Sequence, residues 1–134
     1  MPIDPEILLK KELDEVEGSW TEERVILYNI AVGSSQDPLN KSDLEFTVGS
    51  NPKVIPSFAA CIYPMESVFS IIGSEGLEVS LTSLLHGEQK ITIHKDIPSS
   101  GTAVTKATIT AVEDYKKFAS VTITSDSYLE NEKI

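Results

Sequence analysis

From Ala103 to Val112 the sequence alternates residue by residue, with Ala107, Ile109 and Ala111 on one face and Lys106, Thr108 and Thr110 on the other. A period of two means a strand with one face buried and one wet, because successive side chains leave a strand on opposite sides. The same pattern recurs at Lys90-Ile91-Thr92-Ile93-His94 and at Val121-Thr122-Ile123-Thr124. Pro98-Ser99-Ser100-Gly101 and Glu113-Asp114-Tyr115-Lys116-Lys117 hold the residues of the intervening turns. The spacing predicts strands near 88–95, 102–113 and 118–127.

Upstream of Gly76 the patterning is helical. Thr21 is placed to cap a helix whose first turn holds Glu22 and Glu23, and Gly33 ends it. Val25, Ile26, Leu27, Tyr28, Ile30 and Ala31 predict burial over one broad face. Leu44 to Val48 reads as a short strand. Pro56 then suits the first turn of a helix through Ile62, apolar or small on every side and so enclosed by other structure. Pro64 breaks or kinks that helix, and Gly73 and Gly76 close the segment after it. Residues 1–19 read as an acidic arm, extended or partly helical. The order predicts a single α+β domain over 1–134, one sheet packed on a central helix.

The 134 residues suffice for one core, burying roughly two thirds of the unfolded surface. The net charge is −10, and ten lysines and one arginine lie scattered, which argues against nucleic acid as a partner. No apolar run approaches the ~20 residues of a membrane span, and the N-terminus lacks a secretory leader, so the expected location is intracellular. The lone Cys61 excludes an internal disulfide and reads as a buried, inert thiol. His86 and His94 are eight residues apart, roughly 25 Å on an extended strand, and no metal site is expected. Glu130 to Lys133 reads as a hairpin turn and Ile134 as the first residue of a further strand. Either another chain supplies that strand or the sequence is a fragment.

Leu84-Leu85-His86-Gly87-Glu88-Gln89 is the segment that could carry chemistry. A glycine there leaves the backbone open to a ligand; a simple bulge with a half-buried histidine is the plainer reading. Taken with Val25-Ile26-Leu27-Tyr28-Asn29-Ile30-Ala31-Val32-Gly33, Asp37-Pro38, Asp43-Leu44-Glu45-Phe46 and Ile55-Pro56-Ser57-Phe58, in that order, it resembles the N-terminal half of the type 2, (R)-specific enoyl-CoA hydratases, the MaoC-like dehydratases. The resemblance covers most of residues 20–127. It implies a hot-dog fold, incomplete at the C-terminus, that pairs with a second hot-dog unit as a dimer or a fused C-terminal half.

In that family the C-terminal unit carries Gly-Asp-x-Asn-Pro-(aliphatic)-His, whose Asp and His act through one water on a trans-2-enoyl thioester. This sequence has no such motif. Its nearest imitation, Ser35-Gln36-Asp37-Pro38-Leu39-Asn40, lacks the Gly-Asp pair and the histidine, and Asp37 reads as a turn residue. No catalytic residue is therefore expected here, and no cofactor, the CoA thioester being the substrate. The resemblance implies substrate contacts at His86, Gly87 and Lys116, with Lys117 the alternative for the last. On their own, Lys116 and Lys117 read as a solvated hairpin tip. The resemblance also implies that a helix broken at Pro64 leaves room for a bulky acyl chain; an ordinary kink is the alternative.

The implied function is the substrate-accommodating half of an (R)-specific enoyl-CoA hydratase of fatty-acid β-oxidation. The implied site is the peroxisome in a eukaryote and the cytoplasm in a bacterium. A non-catalytic acyl-CoA-binding module and an acyl-CoA thioesterase are the alternatives.

Overall fold

A computed structural model describes residues 3–63, 69 and 71–134. Pro64 falls outside them, and with it the expectation of a break at that position. The elements run α1 (Pro5–Leu9), β1 (Val16–Trp20), α2 (Glu22–Ala31), α3 (Lys41–Leu44), a 3-10 helix (Pro56–Cys61), a 3-10 turn (Leu81–Ser83), β2 (Gly101–Asp114), β3 (Ala119–Leu129) and β4 (Glu132–Lys133). The strands form one sheet in the order β1-β2-β3-β4.

Within the sheet, alternation predicted β2 and β3 well. Along β2, Ala103, Thr105, Ala107 and Ile109 are buried, while Lys106, Thr108 and Thr110 face solvent. Thr110 Oγ1 meets Thr124 Oγ1 of β3 at 3.1 Å, a cross-strand pair of the kind that fixes register. Glu130 and Asn131, at φ +49° and +68°, make the two-residue turn between β3 and β4. Two successive positive φ values match the right-handed twist of paired strands. The ladder pairs Tyr128 with Lys133 and Leu129 with Glu132, and Ile134 N–H donates to the Ser127 carbonyl at 3.0 Å. Lys95 forms an ion pair with Glu132; the hydrogen bond and charge raise the pKa of Lys95 and lower that of Glu132.

The chain forms two compact units. One comprises Met1–Val16, Pro64–Lys90 and Thr105–Asp126, with Leu8, Ile71, Leu77 and Ile109 as its core. The first residues are therefore partly helical, as one of the two readings had it, and packed into this core. Asp4 caps α1 by accepting from Glu6 N and Ile7 N at 3.0 and 3.2 Å, and Leu8 is fully buried. Ile3 bridges to Leu77, and Asp4 N–H donates to the Gly76 carbonyl at 2.9 Å. Gly76 has φ +85°, and an added Cβ would lie 3.0 Å from Ile7 Cγ2 and 3.3 Å from Leu8 Cγ. Gly76→Ala should cost about 1–3 kcal/mol from the backbone conformation and the clash together. Denaturant melts check this; an unchanged midpoint would mean that α1 yields freely.

The second unit comprises Glu17–Tyr63, Ile91–Val104 and Ser127–Ile134, around Trp20, Val25, Phe58, Ile62, Ile97, Ala103 and Ile134. Phe58 stands edge-on to Tyr28, ring centres 5.4 Å apart, and to Trp20 at 6.4 Å. Trp20 Nε1 donates to the Pro98 carbonyl at 2.8 Å. Thr21 caps α2, and Gly33, at φ +100°, follows its end. Ser34 N–H donates to the Asn29 carbonyl and Gly33 N–H to that of Ile30, the Schellman pattern.

Several expectations fail here. The broad buried face of α2 narrows to Val25 and Asn29; Leu27 and Ile30 are 68% and 55% exposed, and Ala31 is exposed too. Asn29 helps to fix the choice of face, because its Nδ2 donates to the carbonyls of Phe46 and Lys53 at 2.7 and 2.8 Å when turned inward, although its Oδ1 is buried there without a partner. The strand expected at Leu44–Val48 is α3 and a turn, since Asn40 caps a helix there by accepting from Asp43 N at 3.3 Å. The central helix is a 3-10 helix with Phe58 buried and Ala60 exposed, so it is enclosed on one side only, and Cys61 is half-buried. The strand expected near 88–95 is absent. Residues 88–93 adopt no ladder, because alternation makes a strand only where a partner edge supplies the hydrogen bonds.

Candidate functional site

The Leu81–Ser83 turn is closed by Ser80, whose Oγ accepts from Thr82 N at 3.4 Å, and the chain leaves it extended. Every residue from Leu81 to Lys90 is exposed, and Leu85 is 88% so. His86 Nε2 lies 3.1 Å from the Glu88 carbonyl oxygen. A carbonyl only accepts, so Nε2 is the donor in this contact. Among the described residues, and apart from its two chain neighbours, no heavy atom lies within 4 Å of where a Gly87 Cβ would be, so the backbone here is open to an incoming group. The bulge reading, with a half-buried histidine, does not hold.

Lys116 stands at the tip of the β2–β3 hairpin with φ +66°. Its N–H donates to Asp114 Oδ1 at 2.8 Å, Lys117 N–H donates to the Tyr115 carbonyl at 2.8 Å, and Tyr115 N–H closes the turn on the Phe118 carbonyl at 2.9 Å. These bonds hold the tip by its backbone and leave both lysine side chains exposed. Tyr115 hydroxyl donates to Glu113 Oε2 at 3.0 Å, and that bond with the adjacent carboxylate raises the Tyr115 pKa.

His86 and Gly87 are adjacent, and Lys116 belongs to the same compact unit. Among the described residues no hydrogen bond or ion pair joins the Lys116 side chain to the other two. A concavity of about 370 Å³ in this unit is lined by Leu9 to Leu13, Ala107 and Thr108, and none of the three borders it. Tyr115 and Phe118, exposed and stacked at the tip, were not singled out by their sequence. The available signal was two aromatics inside a turn that is otherwise charged.

The remaining chemistry is sparse. Asp37 Oδ1 accepts from Leu39 N at 2.9 Å, as a turn residue does. Neither histidine is within ion-pair distance of a carboxylate among the described residues. Among those residues no cluster of three or more His, Cys, Asp or Glu could hold a metal ion, and no helix is long and apolar enough to cross a membrane.

Comparison with known proteins adds a family. The model of the MFE-2 hydratase 2 N-terminal domain matches residues 19–134. The enoyl-CoA hydratase ChsH3 of Mycobacterium tuberculosis is 30% identical over 121 residues, covering 89% of this chain and 42% of that protein. The peroxisomal enoyl-CoA hydratase 2 of Arabidopsis thaliana is 27% identical over 130 residues, covering 93% and 42%. The chain thus spans less than half the length of these relatives. A crystal structure of a MaoC-like dehydratase from Phytophthora capsici superposes with a TM-score of 0.80 at 18% identity, over 98% of this chain and 47% of that one. At that identity the likeness shows the fold alone, and the fold is the hot dog.

Proposed function

We propose, because this chain belongs to the family of MFE-2 hydratase 2 N-terminal domains, that it is the substrate-accommodating half of an (R)-specific 2-enoyl-CoA hydratase. With a catalytic hot-dog half it would hydrate trans-2-enoyl-CoA to (3R)-hydroxyacyl-CoA. The observation that carries this reading is the family match over 19–134 in a sequence without Gly-Asp-x-Asn-Pro-x-His. The acid, the base and the water site then belong to the other half, and this one binds and orients. No cofactor enters the reaction. In a eukaryotic source the proposed location is the peroxisome, the compartment in the name of the Arabidopsis relative.

Two surfaces support a partner. Leu27, Ile30 and Ala31, spaced to share one face of α2, expose an apolar stripe of the kind that an interface covers. Lys90 to Ile93, alternating like a strand but paired with none among the described residues, offers backbone groups that a neighbouring edge would satisfy. The proposed assembly is a pair of hot-dog units, in one polypeptide or two.

Within it, His86, Gly87 and Lys116 meet the acyl-CoA. Gly87 lets the thioester arm approach the backbone, the exposed His86 ring hydrogen-bonds that arm, and Lys116 presents a point charge to phosphate. In the assembled hydratase His86→Ala and Lys116→Ala should each raise KM for crotonyl-CoA about fivefold while changing kcat less. The Lys116→Ala effect should shrink at high salt, where exposed charges are screened. Lys117→Ala in parallel shows which lysine faces the phosphate. Unchanged KM in all three variants would return these residues to solvated surface.

A further inference from the structure

The β2–β3 hairpin tip carries more flat apolar surface than a turn requires. Tyr115 and Phe118 are 51% and 60% exposed, yet their rings stack with centres 4.9 Å apart and planes 26° from parallel. The turn bond between their backbones and the Tyr115 hydroxyl bond to Glu113 hold the pair in place without a ligand. A pre-ordered aromatic pair in water presents the outer face of each ring at little further entropy cost. Lys116 and Lys117 lie between them on the same tip, two cations together in a chain of net charge −10. The neighbouring carboxylates are already engaged, Glu113 by the Tyr115 hydroxyl and Asp114 by Lys116 N–H.

Flat π-surface beside two ammonium groups matches one part of an acyl-CoA in particular. An acyl chain is better covered in a groove, and the pantetheine arm has no ring to stack. We propose that Tyr115 and Phe118 form a stacking platform for the purine ring at the nucleotide end of the substrate, with Lys116 and Lys117 beside its phosphates. This rests on the acyl-CoA reading above and extends it to a pair of aromatic side chains.

The test uses the assembled hydratase and two substrates, crotonyl-CoA and crotonyl-pantetheine, which lacks the nucleotide. Phe118→Ala and Tyr115→Ala should each raise KM for crotonyl-CoA roughly tenfold, with kcat little changed and crotonyl-pantetheine kinetics unaltered. Phe118→Trp should retain the parent KM, because a larger π-face still stacks. Equal losses on both substrates, or none on either, would overturn the platform. Calorimetric titration with an adenosine bisphosphate gives a readout independent of hydration. It should bind the parent protein and bind roughly tenfold more weakly after Phe118→Ala. If that binding is found but no enoyl thioester is hydrated, the hydratase reading fails and the platform stands; no binding to the parent overturns the platform itself.

Discussion

Given trans-2-enoyl-CoA, the 134-residue chain alone should hydrate it no faster than buffer, and turnover should appear when a hot-dog unit bearing Gly-Asp-x-Asn-Pro-x-His is added. Positioned acid–base groups contribute about 10²–10⁴-fold, and groups that act as a unit lose nearly everything when one is missing. Here the whole constellation is absent from the sequence. Loss of enoyl-thioester absorbance follows the reaction directly. Turnover by the pure chain, abolished by Asp37→Asn, would place catalysis in the Ser35–Asn40 turn. The structure argues otherwise, since Asp37 Oδ1 is engaged by the Leu39 N–H and no histidine stands by it. Hydrolysis of the thioester in place of hydration would favour the thioesterase alternative.

Phe58→Ala should be the most damaging of the single substitutions considered, at about 3–5 kcal/mol. The side chain is fully buried, and its removal leaves Trp20 and Tyr28 facing a cavity where both had edge-on contacts. Domains are stable by only about 5–15 kcal/mol, so the variant should be partly unfolded at ambient temperature or melt far earlier than the parent. Phe58→Leu, which keeps most of the volume, should lose less than half as much. A denaturant titration of both variants decides it. A loss below about 1 kcal/mol for Phe58→Ala would mean that the 3-10 helix is peripheral to this core.

How much of the molecule could be read beforehand depends on whether a residue's partners are local. The strands 101–114 and 119–129 were legible because alternation is a property of each segment, and their hairpin lies between them in the chain. The cap of α2 was legible for the same reason: Thr21 and Arg24 are three residues apart. Asp37 as a turn residue, and the family blocks ending in Leu-His-Gly-Glu-Gln, also needed nothing beyond the order of residues.

The misreadings share an opposite cause. Whether Lys90–Ile93 is a strand depends on an edge elsewhere, and no strand in the described residues pairs with it. Which face of α2 turns inward depends on carbonyls 17 and 24 residues away, those of Phe46 and Lys53, to which Asn29 Nδ2 donates. Apolar content alone favoured a wider buried face, and left Leu27 and Ile30 to be found in solvent. The first residues looked like an arm because the partners of Ile3 and Asp4 are Leu77 and Gly76. At the candidate site the family resemblance of the sequence pointed to His86, Gly87 and Lys116, and the sequence by itself determined that the catalytic motif is missing. Only the tertiary structure decided that Gly87 is open, that His86 Nε2 meets the Glu88 carbonyl, and that Tyr115 and Phe118 stack in solvent beside two lysines. Local order sets what each segment prefers; long-range hydrogen bonds and burial decide which of those preferences is satisfied.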